Sequence, residues 1–190
     1  MRRLIVTVYS SLDGVIDGDG NAAIEKWQLP FADEEFERRT LQQLQSCDAL
    51  LLGRKTYQGF AQTWPALAGD NGIADRLNSL PKYVASTTLA EPLGWNATLL
   101  QGSVPGAVAD LKRTSGADIL LYGCGSLADT LVRYGLVDEV QVWAHPVVVG
   151  PGIRLFHDPA QLTSLQLTGT SPLKSGVVIL SYQPASRNDH

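Results

Sequence analysis

Three short stretches of the chain carry groups suited to holding an anion: Gly53-Arg54-Lys55-Thr56, Ser86-Thr87-Thr88 and Gly123-Cys124-Gly125-Ser126. In the first, a planar fork of donors, a compact positive charge and a hydroxyl follow a glycine, and all three suit phosphate oxygens. The second offers three hydroxyls, which either cap the next turn or bond to phosphate or ribose. The third removes Cβ atoms where a phosphate would approach the main chain, or merely turns it. Unpaired N–H groups at a helix start suit an anion, while many α/β proteins place glycine after a strand only to turn the chain. Two carboxylates, Asp13 and Asp33, are candidate proton donors, and a bound water is an equal candidate. Leu12 and Gly14 lie in a run of turn residues that reads either as a mobile cover over a ligand or as a plain solvent loop. Trp27 and Phe31 bracket a proline and form one wall of a cleft or anchor that loop to the core. Asp33 either caps the helix it begins or holds a cationic or amide-like ring beside that wall.

The elements that would position these groups alternate. Arg2–Ser10 reads as a strand, and Asp33-Glu34-Glu35 starts a helix with negative charge at its favourable end and a stripe of Phe36, Thr40, Leu41 and Leu44. Ala49–Leu52 is a strand that runs into Gly53, and Tyr57, Phe60, Trp64 and Leu67 continue as a helical stripe. Ile73–Leu80 is a short helix, Lys82–Ala85 a strand ending at Ser86, and Ala97–Leu100 another strand. Ser103 caps the helix after it. Ile119–Tyr122 is an apolar run of the kind buried on both faces, followed by the glycine turn and by Leu127, Leu131 and Val132 at helical spacing. Strand–helix alternation implies a mainly parallel sheet covered on both faces, and parallel strands bring their carboxyl ends, with the three anion-suited stretches, to one edge. After Gly135 the helices cease. Val137–Ala144, Leu162–Thr168 and Val177–Tyr182 read as antiparallel strands completing the same sheet. Residues 1–183 are expected to form a single domain, and 184–190 a flexible tail.

Composition narrows the function classes. A chain of 190 residues with 44% hydrophobic residues can bury one sizeable core. A net charge of -4 argues against nonspecific binding to nucleic acid or an anionic membrane. No apolar run approaches the roughly 20 residues of a membrane span. The N-terminus enters a strand with no signal-peptide layout, and Cys47 and Cys124 read as buried free thiols, so a cytoplasmic location is expected. Too few Cys and His residues cluster for a metal site. Asp13, Asp17 and Asp19 miss the spacing of a calcium loop.

Five segments carry a family resemblance: SLDGVIDGDG at Ser11–Gly20, ALLLGRKTYQGF at Ala49–Phe60, PKYVASTTL at Pro81–Leu89, ILLYGCGSLADTLVRYGLVDEV at Ile119–Val140 and HPVVVGPGIRLF at His145–Phe156. In order and spacing, over roughly residues 2–183, the chain resembles the dihydrofolate reductase-like superfamily. Within it, the chain is most similar to the domain at the C-terminus of bacterial bifunctional riboflavin biosynthesis proteins. The resemblance implies a three-layer α/β/α fold with a mixed, mostly parallel sheet of eight or nine strands. It also implies an NADPH-dependent reductase of a small heterocyclic or carbonyl-like substrate. Carried onto this sequence, Gly53, Arg54, Lys55 and Thr56 would sit near the pyrophosphate and adenosine phosphate, and Ser86 and Thr87 on the 2′-phosphoribose side. Gly123, Cys124, Gly125 and Ser126 would pass beneath the pyrophosphate, and Ser11–Gly20 would correspond to the loop over nicotinamide.

The substrate implied is 5-amino-6-(5-phosphoribosylamino)uracil. Dihydrofolate or pterin reduction is one alternative, and a non-catalytic nucleotide-binding regulatory domain is another. The sequence departs from the pattern at Cys124, where relatives commonly have glycine. It departs again at Asp33, which lies farther from Gly53 than the acidic residue of dihydrofolate reductases, and no zinc-deaminase signature accompanies the reductase motifs. Arg154 and Lys174 are distant candidates for a substrate phosphate. Single-chain relatives pair through their C-terminal strands, so a homodimer is expected, with Val147, Val148 and Val149 either at the pairing surface or in the core.

Overall fold

The computed structural model describes residues 1–17, 27–69, 72–123, 125–155 and 164–185. It is an α/β fold with an eight-stranded, mostly parallel sheet and five α-helices described over their whole length. The strands are β1 (Leu4–Ser11), β3 (Cys47–Gly53), β4 (Lys82–Ala85), β5 (Ala97–Leu99), β6 (Asp118–Tyr122), β7 (Glu139–His145), β9 (Leu165–Pro172) and β10 (Val178–Pro184). They are ordered β5-β4-β3-β6-β1-β7-β10-β9, and β2 (Val15–Asp17) pairs with β8 (Ile153–Arg154) in a separate ribbon. The helices are α1 (Glu34–Ser46), α2 (Arg54–Thr63), α3 (Gly72–Ser79), α4 (Val104–Arg113) and α5 (Ser126–Arg133). The chain forms two compact units, Met1–Ile5 with Glu37–Tyr122 and Val6–Phe36 with Gly123–His190.

The first unit contains the parallel strands. Leu50, Leu51 and Leu52 of β3 are fully buried, and Ile119, Leu120 and Leu121 of β6 nearly so. Their registers, Leu50↔Leu120 and Leu52↔Tyr122 on one side and Leu52↔Val84 on the other, run parallel. A strand buried on both faces must be apolar at successive positions, which is what LLL and ILL provide. Arg76 of α3 closes the end of α1: its guanidinium donates to the carbonyls of Leu44 (3.2 Å) and Cys47 (2.7 Å). These are among the carbonyls a helix end leaves without partners. At the N-terminus the buried Arg2 pairs with Asp48 and donates to Ala117 O at 2.8 Å. Cys47 is buried, as expected of a free thiol, and burial pushes its pKa up to about 11.

The second unit contains the antiparallel strands. β10 pairs with β7 from Val178↔Ala144 to Tyr182↔Val140, and with β9 on its other side. Trp143, Leu173, Val177 and Ile179 form its buried cluster, with Tyr9, Phe31 and Phe36 packed against them.

Several expected boundaries shift. Val15–Asp17, expected as loop, is a strand, because β8 supplies its partner. The expected strand at Leu162–Thr168 runs instead from Leu165 to Pro172, where β10 offers a continuous register. The helical stripe through Leu67 leaves α-geometry at Trp64: Pro65 lacks the N–H that continuation needs, and Trp64–Leu67 tightens to a 3-10 turn. Pro184, expected to open the tail, closes β10 opposite Leu165. Cys124, Asp19 and residues 186–190 lie outside the described residues.

Candidate functional site

In the first unit the registers Gly53↔Ala85 and Leu52↔Tyr122 set the carboxyl ends of β4, β3 and β6 side by side. Arg54 and Ser86, each the next residue of its chain segment, therefore emerge from adjacent strand ends. α2 starts at Gly53, whose backbone is extended (φ -75°, ψ 160°), and no side chain caps it. Its first-turn N–H groups, which have no partners within the helix, gain none from a capping side chain. Arg54 and Lys55 are exposed and Thr56 is half-buried. The Arg54 guanidinium reaches only Gln58 Oε1, at a long 3.4 Å. At the end of β4, Ser86 Oγ accepts from the N–H groups of Thr88 (3.1 Å) and Leu89 (3.0 Å). The hydroxyl thus caps its own turn and keeps its proton as a donor. Thr87 beside it is exposed.

In the second unit, the turn after β6 opens on Gly123, whose N–H donates to Thr7 O at 2.9 Å and whose φ is +93°. Only glycine adopts that conformation at little cost. Gly125 begins α5 with extended backbone and no side-chain cap. A Cβ added there would meet no protein atom within 4 Å. Ser126 is exposed.

The turn after β1 is stitched to residues 147–155. Ser11 Oγ donates to Asp13 Oδ1 at 2.6 Å and accepts from Val15 N at 2.8 Å. The Asp13 carboxylate also accepts from the main-chain N–H groups of Val149 and Gly150. These bonds, the Ser11 hydroxyl first, lower its pKa from 3.8 to about 2. Arg154 donates to the Asp13 carbonyl and, at 3.0 Å, to Gly150 O. The described part of this turn is therefore tied by hydrogen bonds to the segment after β7. Asp13 is an ionised acceptor at neutral pH, with no proton to give. Gly14 takes a φ of +82°, and Leu12 beside it is 70% exposed.

Asp33 Oδ1 accepts from Phe36 N at 2.8 Å. Helix capping, one of its two expected roles, is the one its geometry displays.

Trp27 and Phe31 both meet His145 in T-shaped geometry, with centroids 4.9 and 5.9 Å away. Tyr9 and Phe36 complete the shell at 6.0 and 5.9 Å. His145 has no exposed surface. Its Nδ1 lies 2.9 Å from Trp143 O and 3.2 Å from Ser10 O. Burial lowers its pKa and keeps the ring neutral. The sequence motifs do not single out this histidine as a functional residue. The available signal was a polar ring at the end of an apolar strand, between Trp143 and Pro146 and downstream of an aromatic-rich segment.

Among the described residues no cluster of three or more His, Cys, Asp or Glu side chains could hold a metal ion. No helix among them is long and apolar enough to cross a membrane.

The family model for the RibD C-terminal domain matches residues 2–179. The Bacillus subtilis protein YyaP, whose function is uncharacterized, is 34% identical over 184 residues, covering 95% of this chain and 94% of its own. A Shewanella sp. PV-4 protein whose description places it provisionally in riboflavin biosynthesis shares the fold. Its TM-score is 0.73 at 21% identity, over 97% of this chain and 99% of that one. Dihydrofolate reductase from Enterococcus faecalis, solved with NADP(H), shares the fold at TM-score 0.61 and 16% identity, over 97% of both chains.

Proposed function

Because the chain belongs to the RibD C-terminal domain family, we propose that it is an NADPH-dependent oxidoreductase acting on a small heterocyclic or carbonyl-like substrate. The observation that carries the reading is the register Gly53↔Ala85. It puts an uncapped helix start with Arg54, Lys55 and Thr56 next to the hydroxyls of Ser86 and Thr87. Open α/β sheets bind ligands at such strand ends.

The residues fit the cofactor's chemistry. A dinucleotide with a 2′-phosphate needs cations, hydroxyl donors and free main-chain N–H groups. Arg54, Lys55, Thr56 and the first turn of α2 supply these for phosphate oxygens, and Ser86 and Thr87 supply hydroxyls for the phosphoribose. Gly125, where an added Cβ would meet nothing, leaves main chain open to a pyrophosphate beside Ser126, and Gly123 and Cys124 are proposed to share that contact. The nicotinamide would supply the hydride. The protein's own work is to bind, orient and keep water away. Since Asp13 is ionised and Asp33 caps α1, the proton is assigned to water.

The specific acceptor we propose is 5-amino-6-(5-phosphoribosylamino)uracil, supported by the family match. Arg154, a candidate for its phosphate, is engaged with main-chain carbonyls. A smaller unphosphorylated relative therefore belongs in the same assay. The test is NADPH oxidation, followed by its near-ultraviolet absorbance, with a panel of pyrimidine, pterin and carbonyl acceptors. Turnover with a pyrimidine supports the reading. Turnover with dihydrofolate alone would make it a folate reductase. Cofactor binding with no turnover on any acceptor would make it a nucleotide-binding regulatory domain.

Pairing of two copies through β9 is part of the proposal. That strand ends the sheet order and most of its residues are exposed. Val148, at 75% exposure, lies outside the core. Light scattering that held at the 20.5 kDa of one chain across a concentration series would contradict it.

A further inference from the structure

At the end of β7 lies a buried polar atom with no hydrogen-bond partner among the described residues. Two carbonyls, Trp143 O and Ser10 O, face His145 Nδ1. Carbonyls only accept, so Nδ1 carries the proton and, in the neutral ring, Nε2 carries a lone pair. That Nε2 is buried without a hydrogen-bond partner. The indole N–H groups of Trp27 and Trp143 are buried in the same state. Trp27 touches the imidazole directly, and Trp143 packs on Tyr9 and Phe36, which also touch it. Unpaired buried polar groups are rare in native proteins and call for an explanation. Here one acceptor and two donors share a single aromatic cluster.

We infer that His145 Nε2 is the acceptor for a ring N–H of the substrate, and that the rings around it select a planar heterocycle. The inference rests on the reductase reading and adds a specificity-determining residue to it. An imidazole lone pair requires an N–H or O–H donor. Aromatic rings favour a flat partner that presents an edge or a face. The indole N–H groups require an acceptor such as a carbonyl. A planar ring carrying N–H beside C=O, a lactam, meets all three demands. Trp27 and Phe31 are only half-buried, and the 3-10 turn Leu29–Phe31 contains no buried residue. A ring that reaches Nε2 would have to enter past this least-buried wall.

The test uses the full chain, labelled with 15N and saturated with NADPH. Uracil is titrated in while the imidazole nitrogens are observed by NMR, with 1,3-dimethyluracil, which has no ring N–H, as control. The inference expects the Nε2 resonance to move in the direction of hydrogen bonding with uracil and not with the dimethyl compound, while Nδ1 stays protonated. His145→Phe, which keeps a ring and removes the acceptor, should weaken uracil binding about tenfold and leave NADPH affinity unchanged. Should that variant fail to fold, the wild-type titration decides alone. Uracil binding that leaves Nε2 unmoved would overturn the inference. So would an Nε2 already bonded to an internal water that uracil does not displace, or the absence of uracil binding. Failure of NADPH to bind is a separate result: it removes the reductase reading, while uracil alone still decides the role of His145.

Discussion

The Asp13 carboxylate accepts the main-chain N–H of Gly150 at 2.9 Å, across 137 residues of sequence. Together with the bond from Val149, this clamps the turn after β1 onto the segment after β7. Asp13→Ala should loosen that clamp and lower the melting temperature. Asp13→Asn should also weaken it, because the amide keeps one accepting oxygen and turns an NH2, which only donates, toward the other N–H. The folded pKa lies at about 2, below the ordinary 3.8. The stabilisation is therefore fully present above 3.8 and is lost as pH falls through about 2. Acid denaturation should accordingly be shallower in Asp13→Ala than in the wild type across that window.

Lys82 provides a test in the opposite pH range. Its ammonium is buried, donates to Asn78 O at 3.0 Å and lies 4.0 Å from the centre of the Trp95 ring. Burial lowers its pKa from 10.5 to about 8. The unfolded chain thus holds this proton more tightly, so the associated stability is present above 10.5 and is lost as pH falls through about 8. Lys82→Met keeps the apolar stem and removes the titration. Relative to wild type it should gain stability as pH falls across that range, by about 1–2 kcal/mol after solvent screening. Urea melts at several pH values would show it, and a pH-independent difference would contradict it.

The two glycines of the turn after β6 should respond differently. Gly123→Ala forces a Cβ onto a backbone at φ +93°. It should cost about 1–3 kcal/mol of stability. Gly125→Ala meets no neighbour. As a helix-start substitution it should cost about 1 kcal/mol or less. If a pyrophosphate lies over the turn, Gly125→Ala should nonetheless weaken NADPH binding. Thermal melts and calorimetric titration of both variants separate the structural role from the binding one.

The parallel half of the fold was the most legible part of the sequence. β3 and β6 contain the uninterrupted apolar runs Ala49–Leu52 and Ile119–Tyr122, each followed by glycine, a pattern that local chemistry dictates. The ribbon of β2 and β8 was not legible, since each strand is two or three residues long and exists only through its partner. The anion-suited strand ends were readable from residue type. The alignment of Gly53 with Ala85 follows from register, which a single strand does not encode. Asp13 was visible as a carboxylate, but its role depends on N–H groups at Val149 and Gly150 that only tertiary structure brings near. His145 was the clearest omission. Its place at the end of an apolar strand was a signal, but its tautomer is set by Ser10 O and Trp143 O, and the rings around it are brought together only by the fold.

The central claim is that the start of α2 binds the phosphates of NADPH, and affinities of Arg54→Ala and Lys55→Ala for NADPH and NADH test it most directly. A charge-assisted bond is worth roughly 1.5–3 kcal/mol, so losing one should weaken binding about tenfold or more. A variant that loses NADPH affinity while keeping NADH affinity identifies a 2′-phosphate contact. Equal losses place that cation on the shared pyrophosphate. At least one of the two cations should give one of these two outcomes. Unchanged affinity for both cofactors in both variants would contradict it.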